Sequence, residues 1–267
     1  MTGLLVRRAA LAPPRIPRLR PSKRLDRQRR FLSLSANFNA DPLLVDDRMA
    51  PTSWTKTAAV VYRDVITEEQ ASLISNEILG HRMRRKRYEK GHWDSVITDY
   101  KEMELYDIHQ IVENMENEND TFNALENAQA TMASMVWKIR NLLQQNHAIA
   151  PVTKWLPCHA IDLKKEGQLS AHVDSVRFSG HMVAGLSLLS PAIMRLKEEE
   201  EEKSETFVDL YLPPNSLYVL TGVGRYDYSH ELLPDGSVFG DQQENPIVVP
   251  REQRLSIIFR DAKEEDE

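Results

Sequence analysis

Cysteine is almost absent. Cys158 stands alone in 267 residues, which excludes an intramolecular disulfide framework and a cysteine-built zinc site. Long apolar runs are missing too: the longest mostly apolar stretch, Met182 to Met194, is broken by Gly185, Ser187, Ser190 and Pro191 and is too short for a membrane span. There is no glycine-rich phosphate loop, no Gly-x-Ser-x-Gly and no His-Glu-x-x-His, which removes several common enzyme classes. No internal repeat and no coiled-coil heptad is visible, so a monomer is the default expectation. These absences together predict a soluble mature protein in a reducing compartment.

What is present is an ordinary globular composition, 41% apolar, long enough to bury the core of one large domain or two small ones. The net charge of −6 hides an asymmetry. Residues 1–40 carry ten basic side chains and one acid, Asp26, whereas the remainder carries 24 basic and 39 acidic ones. An Arg-rich, acid-poor leader with Leu and Ser has the composition of a mitochondrial transit peptide, and Arg29-Arg30-Phe31-Leu32-Ser33 resembles a processing region. Pro13, Pro14, Pro17 and Pro21 would interrupt an amphipathic import helix, and a basic arm for nucleic acid is the alternative. The expected organisation is a leader over 1–40, a flexible segment over 41–57, one domain over 58–262 and an acidic tail over 263–267.

Ala58–Tyr62 reads as a short strand, and Thr67-Glu68-Glu69-Gln70 as a capping box opening a helix with Leu73, Ile74, Ile78 and Leu79 on one face. A basic stretch, Arg82–Arg87, follows. Leu105, Ile108, Ile111/Val112 and Met115 recur at helical spacing, as do Met132, Met135/Val136, Ile139 and Leu142/Leu143 beyond Asn119-Asp120. From residue 155 the pattern changes to strands near 155–163, 183–188, 194–196, 206–212, 216–220, 247–249 and 255–259, separated by turn residues. Short strands following two or three helices predict an α+β fold: a double-stranded β-helix, or jelly roll, with N-terminal helices packed on one face. The run Glu198–Glu202 reads as a solvated loop.

Two His-x-Asp triplets occur, His92-Trp93-Asp94 and His172-Val173-Asp174. Residues i and i+2 can supply one imidazole and one carboxylate to a single ion, and a distant second histidine completes a 2-His-1-carboxylate facial triad, a set suited to non-haem Fe(II). The first triplet lies between helices, and its distal partner would be His147. The second is followed by His230, 58 residues beyond His172 and just past the 216–220 strand. Arg254 and Arg260 then lie six apart on a strand. An even separation puts both on one face while Leu255, Ile257 and Phe259 take the other. Two guanidinium groups inside a barrel suit a dicarboxylate, because the fork pairs bidentately with carboxylate.

His172-Val173-Asp174, His230 and the Arg254/Arg260 spacing resemble the AlkB-type dioxygenases dependent on Fe(II) and 2-oxoglutarate. The likeness to the mitochondrial branch of that family extends through Arg87-Tyr88-Glu89, His92-Trp93-Asp94, Ala184–Pro191, Ser216-Leu217-Tyr218 and Arg225–Glu231, and spans residues 58–262. The resemblance implies that His172, Asp174 and His230 ligate iron, and that Arg254 pairs with the distal carboxylate of 2-oxoglutarate. Tyr218 would hydrogen-bond nearby and Arg260 would help to hold the cosubstrate. Tyr218 also reads as core and Arg260 as a strand-end surface charge. The implied reaction consumes 2-oxoglutarate and O2, releases succinate and CO2, and hydroxylates a C–H bond.

Departures from the nucleic-acid-repairing members bear on the substrate. Ile161 and Leu163 stand where those members place polar residues, and Ser256 where they have Asn. No aromatic-rich lid for a flipped base is evident, and the acidic balance of the chain beyond residue 40 opposes phosphate-backbone affinity. The expectation is an oxygenase of the mitochondrial matrix acting on a protein or small-molecule substrate, with resemblance-implied roles in fatty-acid metabolism and alkylation-induced programmed necrosis. A mitochondrial tRNA N-methyl demethylase, with RNA held by Arg82–Arg87, is one alternative; a non-catalytic partner-binding jelly roll is another.

Overall fold

The structure, a computed structural model, describes residues 39–91, 96–118, 128–145, 151–177, 179–199, 205–241 and 246–263. The basic leader to residue 38, the His92-Trp93-Asp94 triplet with His147, Asn119-Asp120, most of the glutamate run and the last four residues lie outside them.

The strands are β1 (Val45–Asp46), β2 (Ala59–Tyr62), β3 (Ile97–Glu104), β4 (His159–Leu169), β5 (Ser179–Leu189), β6 (Ala192–Glu198), β7 (Val208–Leu212), β8 (Ser216–Thr221), β9 (Tyr228–Leu232), β10 (Ser237–Phe239), β11 (Ile247–Val249) and β12 (Arg254–Ala262). The helices are α1 (Glu68–Ser75), α2 (Tyr106–Glu118), α3 (Ala128–Gln144) and the one-turn α4 (Gly222–Tyr226).

The start of α1 follows from its sequence. Thr67 Oγ1 accepts from the Gln70 amide at 3.2 Å, and the Gln70 side chain accepts from the Thr67 amide at 3.0 Å, so the capping box forms and satisfies two orphan donors. The helix passes into a π-helical turn, Asn76–Arg82, rather than ending at Gly80. Its buried face carries Ile74 and Ile78, whereas Leu73, expected on that face, is 38% exposed.

Two antiparallel sheets make the jelly roll. The major sheet has the order β2-β8-β5-β12-β4-β3, the minor one β1-β7-β6-β9, and β10 and β11 form a separate ribbon. Strand alternation sorts the major sheet into two faces. Leu186, Leu188, Leu255, Ile257 and Phe259 pack under α1, α2 and α3 with Ile74, Ile108, Val136 and Ile139. The opposite face meets the minor sheet, where Leu163, Tyr218 and Leu220 join Met194, Leu196, Leu210 and Tyr228. The fold is therefore the expected α+β jelly roll with helices on one face, and the intersheet layer is where β12 turns its arginines.

Several strand features differ from the sequence reading, including β1 and β10, which have no counterpart there. β3 was not anticipated, because its alternation breaks where Asp99 takes a positive φ of 50° and the register with β4 shifts between Thr98 and Tyr100. β9 was seen only as a histidine-bearing motif, although Tyr228, His230 and Leu232 alternate inward as in any half-buried strand. Trp155, expected to begin a strand, forms only an isolated bridge to Asp261, and β4 starts at His159. Residues 41–57, expected to be flexible, contain a 3-10 turn at Pro42–Leu44, the pairing of β1 with β7 and the edge-on packing of Trp54 against Tyr228, with Leu44 buried. No helix among the described residues is long and apolar enough to cross a membrane.

Cys158 lies in the helix-side core at 2% exposure, and burial pushes its thiol up to about 12, with nearby Arg140 opposing the rise. A raised pKa leaves the thiol protonated and unreactive at pH 8. A disulfide reagent at that pH should therefore leave the folded protein unlabelled and titrate one thiol in urea; rapid labelling of the native chain would contradict this burial.

Candidate metal and cosubstrate site

His172 sits in the turn after β4 and His230 at the centre of β9, so they come from opposite sheets. A reciprocal backbone pair joins them: the His172 amide donates to the His230 carbonyl at 3.2 Å, and the His230 amide donates to the His172 carbonyl at 2.8 Å. The two rings consequently lie 4.3 Å apart, centre to centre. Asp174, two residues on, turns its carboxylate into the same space. One ligand atom from each of His172, Asp174 and His230 lies within 4.8 Å of the other two.

Protonation states are set by contacts. His172 Nδ1 is 2.8 Å from the Ser170 carbonyl, which can only accept, so Nδ1 is the donor in that contact. Burial drives the His230 imidazole down to about 4. Burial works to raise the Asp174 carboxyl, but the Arg260 guanidinium, 2.7 Å from Oδ1, and the neighbouring imidazoles outweigh it and hold the group below its usual range. At neutral pH the cluster thus presents a neutral, buried imidazole and an ionised carboxylate, the forms that metal coordination requires.

Beside the cluster, inward-facing residues of β12, Arg254, Ser256, Ile258 and Arg260, line one cavity together with His172, Asp174, His230 and Tyr218. Ile161 and Leu163 of β4 complete an apolar wall. Arg254 is 5% exposed; its Nε donates to Ser187 Oγ at 3.2 Å, while its buried Nη2 finds no hydrogen-bond partner among the described residues. Burial lowers this guanidinium to about 10, a sign of a cation without a matched anion. Tyr218 lies nearby, with burial raising its phenol to about 12.

The floor beneath these groups is made of small residues. Gly185 on β5 pairs with Tyr218 on β8, and a Cβ at Gly185 would come within 2.3 Å of the Tyr218 ring. Ser187, two residues along, leaves room for Arg254.

All six residues singled out from sequence therefore border one cavity. Arg260 differs in detail: its observed partner is Asp174, and at 27% side-chain exposure it is neither deeply buried nor a free surface charge. Sequence reading assigned no role to Ser170, Gly185, Ser187 or Arg225. Arg225, on the one-turn helix before His230, is 2% exposed, a burial that its sequence context does not show. The donor set fits Fe(II), and the unsatisfied Nη2 of Arg254 in the same cavity as Tyr218 fits the carboxylate of a dicarboxylic cosubstrate.

Comparison with known proteins agrees with that chemistry. The profile of the 2OG-Fe(II) oxygenase superfamily matches residues 58–260. The chain belongs to this superfamily. It is an oxidoreductase, a dioxygenase using Fe(II) and 2-oxoglutarate, and the non-catalytic reading falls with that membership.

It is 35% identical over 210 residues to the alpha-ketoglutarate-dependent dioxygenase alkB homolog 7, mitochondrial, of Mus musculus, covering 77% of this chain and 79% of that one. It is 34% identical to the Bos taurus protein of the same name, covering 80% and 83% of the two chains. Among solved structures, a prolyl hydroxylase from Trichoplax adhaerens, in complex with a hypoxia inducible factor oxygen degradation domain peptide, aligns with a TM-score of 0.50 at 8% identity, over 78% of this chain and 84% of that one. That likeness shows a shared fold.

Gly185→Ala should cost about 1–3 kcal/mol of stability through overpacking against Tyr218. In urea unfolding, the double variant with Tyr218→Ala should lose less than the sum of the two single changes. Strict additivity would mean that the ring does not depend on that missing side chain.

Proposed function

We propose that His172, Asp174 and His230 hold the iron and that Arg254 binds the distal carboxylate of 2-oxoglutarate, with Tyr218 beside it. Arg260 holds the Asp174 carboxylate in its ligating orientation and helps to hold the cosubstrate. The observation that carries this reading is the buried Arg254 guanidinium, whose Nη2 has no hydrogen-bond partner among the described residues, in the same cavity as the His-Asp-His cluster. A buried cation lacking an anion costs several kcal/mol, which a bound carboxylate offsets. When bound, iron with 2-oxoglutarate and O2 supplies oxidative decarboxylation to succinate and CO2, coupled to hydroxylation of a substrate C–H bond. The chain orients the reactants: Ile161, Leu163 and Ile258 exclude water around the cosubstrate, and Ser187 fixes the Arg254 fork.

For the finer function we propose a mitochondrial dioxygenase, imported by the residue 1–40 leader and working as a monomeric 58–262 domain in the matrix. Two supports are the basic leader and the relatives named mitochondrial. The proposed substrate is a protein side chain or a small molecule, in keeping with the apolar wall of Ile161 and Leu163. The family resemblance connects this activity with fatty-acid metabolism and alkylation-induced necrosis. A second reading, mitochondrial tRNA demethylation, is favoured by one observation. Arg82 is consumed by Glu77 and Asp107, but Arg84, Arg85, Lys86 and Arg87 are exposed. Replacing those four by Gln separates the readings: lost RNA binding with intact succinate production would favour the tRNA.

The primary test is anaerobic binding of Fe(II) and 2-oxoglutarate, followed by succinate release on admitting O2. Wild type should release succinate and His172→Ala should release none. Arg254→Ala should raise the 2-oxoglutarate concentration for half-maximal release by about 30-fold or more, as expected for removing one partner of a buried charge pair. Wild-type succinate formation by His172→Ala would sink the assignment of the triad.

A further inference from the structure

Arg225 is buried to 2% exposure on α4, five residues before His230, yet forms no salt bridge among the described residues. Its guanidinium is spent on one stretch of chain. Nη1 donates to the Asp174 carbonyl at 2.9 Å, and Nη2 donates to the Ser175 carbonyl at 3.2 Å and to Ser179 Oγ at 2.7 Å, with the Ser179 carbonyl at 3.5 Å. Its Nε is buried without a partner among the described residues. These hydrogen bonds go to neutral acceptors, with the Asp174 and Asp261 carboxylates acting on the cation only at longer range, and an aliphatic side chain would fill the space at lower desolvation cost. What a guanidinium does that an aliphatic chain cannot is gather several acceptors in a fixed planar fork.

The base from which Arg225 reaches is rigid. A Cβ at Gly224 would collide with the Ala58 carbonyl oxygen, so α4 lies directly against the backbone just before β2. Thr221 is tied there twice, by its amide to the Ala58 carbonyl at 2.9 Å and by Oγ1 to the Thr57 carbonyl at 2.7 Å. The far end of the Asp174 segment is anchored as well. Tyr226 Oη donates to the Gly180 carbonyl at 2.9 Å, and the Asp261 carboxylate accepts from the His181 and Met182 amides at 2.8 and 3.0 Å. A single turn of helix thus leads into β9, which carries His230, and clamps the backbone that carries Asp174.

We propose that Arg225 is a positioning residue of the metal centre: its fork holds the Asp174 backbone against α4 and so sets the distance between the Asp174 carboxylate and His230. The proposal rests on the reading that Asp174 and His230 ligate the metal. It assigns Arg225 to metal retention, separate from the cosubstrate contact of Arg254.

The test is titration of the apo-protein with Mn(II), followed by electron paramagnetic resonance without 2-oxoglutarate or O2, with Co(II) absorption reporting ligand geometry. Arg225→Met should weaken Mn(II) binding by about 10- to 100-fold, the range for partners that orient metal ligands, and alter the Co(II) spectrum at matched saturation. Arg225→Lys keeps the charge but loses the fork, and its affinity should fall between Met and wild type. Ser179→Ala removes one contact, and should weaken binding by about tenfold, the low end of that range. A folded Arg225→Met protein with wild-type Mn(II) affinity would overturn the proposal. If that variant does not fold, wild-type affinity in Ser179→Ala does so instead. Wild-type Mn(II) binding by His172→Ala would overturn the triad, and the proposal with it.

Discussion

Two backbone hydrogen bonds between His172 and His230 hold the site together. They join the turn after a major-sheet strand to the centre of a minor-sheet strand, so that the two imidazoles face each other across the gap. Their lengths, 3.2 and 2.8 Å, are those of an ordinary antiparallel pair. Such a pair fixes two side chains relative to each other more tightly than side-chain contacts could, because backbone positions carry no rotamer freedom. Asp174 then needs only the extended geometry of two residues to reach the same point. The rest of the jelly roll brings those two backbones within reach.

That demand explains the division of faces in the major sheet. Its helix-side face is filled with Leu, Ile and Phe packed under α1, α2 and α3, which accounts for most of the apolar burial. The inward face is freed for function: Gly185 and Ser187 give up volume so that Tyr218 and Arg254 can lie over them. Arg260 and Arg225 are shielded to differing degrees around the Asp174 carboxylate, and Arg254 is buried in the same cavity. This concentration of positive charge opposes stability in the empty protein and is relieved by anionic ligands. It also holds Asp174 ionised against its own burial.

Ile161, Leu163 and Ser256 line the cavity, and the two aliphatic side chains make part of its wall apolar. The exposed cations Arg84 to Arg87 sit beside Tyr88, whose hydroxyl donates to buried Asp162 at 2.8 Å and whose ring lies 4.2 Å from the Lys101 ammonium and 4.4 Å from that of Lys164. The basic stretch is therefore anchored to the outer surface of β4, whose other face forms the cavity wall.

The sequence alone determined the periodicities and the chemistry-bearing residue types. The Thr67–Gln70 box, the α2 and α3 stripes and the alternation in β12 are local patterns, decided within a few residues by hydrogen-bonding geometry and side-chain direction, and they were legible. So was the His-x-Asp spacing, since two residues in one extended segment need no tertiary information. β3 was not legible, because a bulge at Asp99 erases its alternation. Nor was the order of the 41–57 segment, which depends on β1 pairing with β7 some 160 residues away. Only the tertiary structure decided that Arg260 faces Asp174, that Gly185 lies under Tyr218 and that Arg225 gathers the Asp174 backbone. Each of these contacts joins residues distant in sequence, and no spacing rule connects two side chains until the sheets have paired.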